Sequence, residues 1–237
     1  MKRSLPECIQ RAQNQTTVAS PIIPYQFSFI RRDVNTNRIA YKEFLTVLRN
    51  KNIDALQSWK TRWEQNGVED PYIGSMLAIT STTKNTYLHS LHFRIISRII
   101  TTNRFLYTIR QKESPVCSFC SVEVETLDHL FWTCPKTKNF LQRVQTLLSE
   151  RLQLRITFQK SKWFIPAPEN CSEVEILIIT VAKSVIYRAR NKNQQPNDRC
   201  FFHCLRAEVL KENLLAQEKG NMQAFNDRWA ELGQILA

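Results

Sequence analysis

The sequence predicts a mainly α-helical protein that is interrupted once by a small CCHC zinc-binding element. Three observations support this fold class. Only 4 of the 237 residues are glycine, which argues against a sheet-rich fold with many tight turns. Apolar residues recur at helical spacing along most of the chain beyond residue 37. Between residues 117 and 134 this period stops, and cysteine and histidine follow at a spacing typical of metal ligands.

The composition is strongly basic, and this limits the classes of binding partner that the chain is expected to have. The chain has 33 Lys and Arg against 21 Asp and Glu, which gives a net charge of +12 and a pI near 9.6. Such a charge predicts attraction to polyanions, above all RNA or DNA. The scarcity of glycine excludes the Gly-rich phosphate loops of dinucleotide-binding and P-loop enzymes.

No segment has the character of a membrane span or a secretory signal. The most apolar run, residues 176–182, is 7 residues long, whereas about 20 are needed to cross a bilayer. The 7 cysteines are an odd number, which does not suit a disulfide framework. We therefore expect an intracellular protein, nuclear or cytoplasmic, without a membrane partner.

The first half of the chain divides into two predicted segments. Residues 1–36 are predicted to be flexible, with one edge strand at residues 25–30. Residues 37–112 are predicted to form a helical connection region whose last, basic helix ends before Pro115, because proline cannot continue a helix. The predicted helices of this region lie at residues 39–48, 53–63, 73–80 and about 86–110.

The second half begins with the zinc-binding element at residues 113–135. Residues 136–237 are predicted to form a C-terminal helical region, since the apolar period of a helix resumes there. Residues 156–168 are predicted to be an irregular connection within it. The predicted helices lie at residues 138–152, 172–191, 199–218 and 222–236.

The zinc prediction depends on the pattern Cys117-x2-Cys120-x8-His129-x4-Cys134. Two cysteines separated by two residues turn their sulfurs toward one point, and the histidine and third cysteine complete the four ligands that Zn²⁺ prefers. Iron–sulfur clusters usually take four thiolates. The alternative is that the cysteines are small buried apolar residues. Because protein atoms fill all four positions, the predicted site is structural rather than catalytic.

The acidic residues of the element are expected to be non-ligands. Glu123, Glu125 and Asp128 are predicted to face solvent, since three thiolates already make the site negative. The hydroxyl of Thr126 is predicted to cap the short turn that carries His129.

A second group, Cys200, His203 and Cys204, has three candidate donors on one helix. No fourth ligand is evident nearby, and cysteine is often buried in cores. We therefore interpret this group as core residues and predict no second metal ion.

Two basic tracts flank the zinc-binding element. Residues 84–112 contain 6 basic residues and no acidic one, and residues 183–199 contain 5 basic residues and one acidic. The interleaved aromatic residues could stack on bases, although aromatic residues at helical spacing more often belong to a core. The predicted nucleic-acid-binding residues are Arg94, Arg98, Arg104, Arg110, Lys112, Lys183, Arg188 and Arg190.

No catalytic constellation accompanies these features. A polymerase needs paired aspartates in an apolar strand to hold two metal ions, and none is present. The sequence therefore predicts a protein that is not an enzyme.

Several motifs together resemble the carboxyl-terminal zinc-binding region of non-LTR (LINE-type) retrotransposon reverse transcriptases. The resemblance covers about residues 37–230 and is strongest over residues 88–141. Residues 40–45, 182–190 and 225–229 are similar to flanking parts of that region. The strongest motifs are Leu91-His92-Phe93-Arg94-Ile95-Ile96-Ser97-Arg98, Thr102-Asn103-Arg104-Phe105-Leu106, Cys117-x2-Cys120 and Glu125-Thr126-x2-His129-Leu130-Phe131-x2-Cys134.

The resemblance implies a segment that follows a polymerase and holds template RNA or target DNA while the element is copied. The polymerase core and endonuclease of that family are absent here. The chain is then a carboxyl-terminal piece or a truncated copy, with the reverse transcriptase core as an upstream partner. Two alternatives remain: a zinc-stabilised protein-interaction module that docks a partner on the apolar helices after Ser172, and a relic without selected function.

Overall fold

The computed structural model describes residues 53–230 and residue 232. Within them the chain forms nine α-helices, one π-helical turn at His129–Thr133 and no strand. The predicted mainly helical fold with one non-helical interruption is therefore confirmed. The predictions for residues 1–36 and for the stripe at 39–48 lie outside the described residues. The helices are α1 Ile53–Glu64, α2 Ser75–Thr82, α3 Thr86–Ile96, α4 Asn103–Thr108, α5 Pro135–Leu152, α6 Lys160–Phe164, α7 Glu173–Asn191, α8 Asp198–Glu218 and α9 Met222–Trp229.

Helix α7 is the centre of the described core. It packs against α2, α3, α8 and α9. Its residues are buried almost without interruption from Val174 to Tyr187, as expected for a helix that is apolar on all sides. A capping box begins the helix, in which the Ser172 hydroxyl accepts from the Glu175 N–H and the Glu175 carboxylate accepts from the Ser172 N–H.

The predicted single helix over residues 86–110 is wrong, because the chain leaves the helix after Ile96. Arg98 adopts a left-handed conformation with φ of 57°. The N–H groups of Arg98 and Ile99 then bond back to the carbonyls of Ile95 and Arg94, which is a Schellman ending. Helix α4 starts anew at Thr102, whose hydroxyl accepts from the Phe105 N–H.

Helix α1 closes the exposed end of α3. The indole N–H groups of Trp59 and Trp63 both donate to the carbonyl of Ile96, at 3.0 and 2.9 Å. A carbonyl at the end of a helix lacks a partner within the helix, and these two bonds supply it. The apolar stripe predicted at residues 53–63 is therefore confirmed as α1.

The helices predicted after the zinc-binding element are confirmed with small changes at their ends. Helix α5 begins at Pro135, three residues earlier than predicted, because proline is well suited to the first helical position. The predicted irregular segment at 156–168 contains the short helix α6. Helix α9 covers Met222–Trp229 of the helix predicted at 222–236, and residues 231 and 233–236 lie outside the described residues. Among the described residues, no helix is both long and apolar enough to cross a membrane.

Candidate metal centre and basic surface

The first two cysteines lie on a tight turn between α4 and α5. The Cys117 N–H donates to the Glu123 carbonyl at 2.8 Å, and the Ser121 N–H donates to the Cys117 carbonyl at 2.9 Å. A bridge between Val116 and Val124 closes the base of this turn. The Phe119 N–H lies 3.4 Å from the Cys117 Sγ atom, so the backbone itself supplies a donor to the sulfur. Backbone hydrogen bonds thus shape the turn and support the Cys117 sulfur.

The other two donors lie at the two ends of the π-helical turn. The Thr126 hydroxyl accepts from the His129 N–H at 3.0 Å, which confirms the predicted cap. The Cys134 N–H donates to the His129 carbonyl at 2.9 Å, and α5 starts at the next residue. His129 and Cys134 are therefore held at a fixed separation by one hydrogen-bonded turn.

The four donor atoms lie close enough together to hold one ion. The ligand atoms of Cys117, Cys120, His129 and Cys134 are all within 4.8 Å of one another. The Cys117 and Cys134 sulfurs are 3.9 Å apart, and Cys120 Sγ is 3.4 Å from His129 Nε2. A tetrahedral ion with bonds of about 2.3 Å to sulfur and about 2.0 Å to nitrogen would set these distances at roughly 3.8 and 3.5 Å. The cluster therefore fits a tetrahedral metal ion.

The thiols of Cys117 and Cys134 shift each other's pKa in opposite directions. The hydrogen bond from the Cys117 thiol lowers the pKa of Cys134 to about 5. The same hydrogen bond, together with burial, raises the pKa of Cys117 above its usual range. A metal ion binds thiolates and displaces protons on binding, so it can take the place of the proton between these two sulfurs.

Glu123 orients the histidine from the side opposite to the sulfurs. Its carboxylate oxygen lies 3.1 Å from His129 Nδ1, and the Thr133 hydroxyl lies 3.3 Å from the same nitrogen. A carboxylate on one imidazole nitrogen fixes the tautomer that leaves the other nitrogen free to ligate. The Glu123 side chain is 61% exposed, as predicted, yet it is a direct partner of the ligand.

The prediction that Glu125 faces solvent is wrong. The side chain is completely buried, and its oxygens accept hydrogen bonds from the backbone N–H groups of Asn103 and Ser118 at 2.8 and 3.0 Å. Arg190 of α7 completes the set, with Nε 3.0 Å from Oε1. A buried carboxylate requires such partners, and these come from three separate segments. Asp128 is also largely buried and forms an ion pair with Arg98 at 2.6 Å.

The second cysteine group differs from its prediction in part. Cys200 and His203 are exposed rather than buried, and Cys204 is half-buried. The Arg188 guanidinium lies 3.8 Å from the Cys204 sulfur. Among the described residues, the one group of three or more convergent donors is that of Cys117, Cys120, His129 and Cys134.

Three of the predicted nucleic-acid-binding residues do not lie on a free surface. Lys183 is completely buried, with Nζ 5.6 Å from the centre of the Trp163 ring. Arg190 is 8% exposed and is neutralised by Glu125. The Arg98 side chain is 19% exposed and lies over the ring of Trp63. These three predictions are corrected because ion pairs or packing occupy the charged groups.

The other five predicted residues reach the surface in two groups. Arg104, Arg110 and Lys112 are exposed on α4 and the loop that follows it, adjoining the metal centre. The guanidinium groups of Arg104 and Arg110 have no ion-pair or hydrogen-bond partner among the described residues. Arg94 and Arg188 instead lie over Tyr187 and Tyr87, at 5.5 and 4.5 Å from the ring centres, and join α3 to α7.

Sequence reasoning missed two residues that connect the metal centre to the core. Asn103 donates to the Val116 carbonyl at 2.6 Å and to the Ser118 hydroxyl at 3.0 Å, while its carbonyl oxygen accepts from Arg190. Glu125 is the other. One signal was available: Arg190 lies in the last turn of a mostly apolar helix, and a cation that such a helix buries needs an acidic partner.

Comparison with known proteins does not identify a family for this chain. The chain matches no protein-family model, and a search of curated proteins gives no match.

Proposed function

We propose that this chain is a zinc-stabilised nucleic-acid-binding module. The carrying observation is that Arg104, Arg110 and Lys112 are all exposed on α4 and the loop after it. Two of these residues bond to the surroundings of the Cys3His centre: the Lys112 amine donates to Asn103, which itself bonds to the Val116 carbonyl. The backbone N–H of Arg104 donates to the Glu125 carbonyl at 3.3 Å, so the start of α4 is bonded to the loop that carries the metal ligands. Cations of this kind attract phosphates without reading a base sequence.

We propose zinc as the metal because of the donor set. Three thiolates and one imidazole suit tetrahedral Zn²⁺, whereas iron–sulfur clusters usually take four thiolates. Protein atoms fill all four positions, which favours a structural ion and a binding role over catalysis. The resemblance to the carboxyl-terminal region of LINE-type reverse transcriptases supports the same assignment, with a polymerase core as the upstream partner.

Metal analysis of the purified chain tests the zinc proposal. Elemental mass spectrometry is expected to give one zinc per chain. Binding of structural zinc contributes on the order of 10 kcal/mol to folding, so a strong chelator is expected to unfold residues 117–134. Cys117→Ser should lose the ion, whereas the matched variant Cys200→Ser, at an exposed cysteine outside the cluster, should keep it. A chain that folds fully without any metal contradicts the proposal.

A titration with RNA and DNA at two salt concentrations tests the binding proposal. Binding is expected at low salt and should weaken as salt rises, because bound phosphates release counterions. No detectable binding of either nucleic acid at low salt would refute it.

A protein-interaction module is the second candidate, and one observation favours it. Val122 is 79% exposed on the metal-binding turn, and Val124 at the base of the turn is 44% exposed. The apolar side chains of α7, by contrast, are occupied within the core. Under this candidate an acidic protein would bind the turn, and RNA would not compete with it.

A further inference from the structure

A surface hollow of about 710 Å³ lies at the carboxyl end of α4. The chain turns there because Arg110 adopts a left-handed conformation with φ of 57°. The Arg110 N–H donates to the Tyr107 carbonyl at 3.0 Å, and the Gln111 N–H donates to the Leu106 carbonyl at 2.8 Å. This Schellman ending folds the following loop back beside the helix. The hollow is lined by Tyr107, Thr108, Arg110, Gln111, Lys112 and Glu113.

The walls of the hollow combine one aromatic ring with cations and polar groups. Tyr107 is 50% exposed, although large aromatic side chains are usually buried. Arg110 is exposed without an ion-pair partner among the described residues. Gln111 and Glu113 add hydrogen-bonding groups, and Glu113 is the single acidic residue of the lining. An exposed aromatic ring can stack on a base, cations can bind the phosphates, and polar side chains can form hydrogen bonds with the base edge.

The position of Lys112 is fixed from the metal-binding turn. Its Nζ donates to Asn103 Oδ1 at 2.8 Å, and the Asn103 amide donates to the Val116 carbonyl at 2.6 Å. Val116 precedes the first cysteine of the metal centre. One cation of the hollow is therefore held by a residue that is itself bonded to the metal-binding turn.

We propose that this hollow binds one unpaired nucleotide of a single-stranded nucleic acid. The base stacks on Tyr107, and the phosphates on either side of it lie against Arg110 and Lys112. The inference rests on the proposed nucleic-acid binding and specifies its surface and its strand type. A duplex is disfavoured because its base faces are stacked on one another and cannot reach a side-chain ring.

Paired variants of the full-length, metal-loaded chain test the inference. Affinities for short labelled single strands of RNA and DNA, and for a DNA duplex, are measured by fluorescence polarisation. Tyr107→Leu is expected to weaken single-strand binding about tenfold, the scale of one stacked base, and to leave duplex binding nearly unchanged. Tyr107→Phe keeps the ring and should bind like the original chain.

Phe105→Leu is the matched control. Phe105 is 49% exposed on the same helix but does not line the hollow, so its loss should change binding less than twofold. If the original chain binds in a salt-dependent manner and both Leu variants bind equally well, the hollow is not the site, while the proposed function stands. If the original chain binds no nucleic acid, both proposals fail. Metal content and helical circular dichroism of each variant show that it is folded.

Discussion

The Arg190 guanidinium and the Glu125 carboxylate form a buried ion pair, with Arg190 Nη2 2.9 Å from Glu125 Oε1. Arg190 lies in the last turn of the central helix α7, and Glu125 lies in the loop that carries the metal ligands. Glu125 is 0% exposed and Arg190 is 8% exposed, so water does not weaken the interaction. This contact fixes the metal-binding loop to the core.

Removing one partner of this pair is expected to destabilise the whole domain. Glu125→Ala leaves the Arg190 charge buried without compensation and deprives two backbone N–H groups of their acceptor. The cost of breaking a buried pair is about 3–5 kcal/mol. Urea unfolding followed by circular dichroism measures it. Glu150→Ala removes an exposed acid of α5 and should change the free energy of unfolding by less than about 0.5 kcal/mol. Equal stabilities of the two variants would contradict the role of Glu125.

Lys183 is expected to destabilise the folded state at neutral pH. Burial lowers its pKa from 10.5 to about 7, and the neighbouring Cys171 opposes this only in part. Between these two values the unfolded state binds more protons than the folded state, so this residue makes stability rise with pH from about 7 to 10.5. Below pH 7 the free-energy cost of burying the charged Lys183 side chain is fully present. His92, whose pKa burial lowers to about 3, stays neutral throughout this range.

Lys183→Met should therefore stabilise the protein by a few kcal/mol at pH 7, since Met has a similar volume and needs no partner. The gain over the original chain should shrink as pH rises toward 10, which thermal melts at several pH values measure. Lys192→Met, at an exposed lysine just after α7, should leave stability within about 0.5 kcal/mol. A gain that is independent of pH would show that lysine ionisation is not the cause.

Glu123 is expected to tune metal affinity without being a ligand. Its carboxylate contacts His129 Nδ1 at 3.1 Å, and loss of such an outer partner typically weakens metal binding about 10- to 100-fold. Competition with a chromophoric zinc chelator measures this affinity in Glu123→Gln. Glu113→Gln, a loop acid outside the cluster, is the control and should bind the metal as the original chain does. An unchanged zinc affinity in Glu123→Gln would show that the contact between Glu123 and His129 does not contribute to metal binding.

The features that sequence predicted well are local ones. The cluster of Cys117, Cys120, His129 and Cys134 follows from spacing, since short turns bring these donors together. Helix α7 could be predicted because its sequence contains a long run of apolar residues. The end of α3 at Arg98 did not follow, because no glycine marks that left-handed residue and its support comes from Asp128 and Trp63. The burial of Lys183 and Glu125 likewise depends on which segments pack together, a long-range property that charge counting cannot supply.

The exposed cations of α4 and its loop are expected to set the salt dependence of nucleic-acid binding. Each phosphate contact on a single strand contributes about −0.7 to the slope of log K against log salt. Arg104→Ala and Arg110→Ala should each flatten the slope by about this amount, and the double variant by about twice as much. Arg98→Ala should flatten it much less, because Asp128 already neutralises that residue. Arg155→Ala, at an exposed arginine outside this surface, is the matched control. If Arg155→Ala flattens the slope as much as Arg110→Ala, binding reflects overall charge rather than this surface.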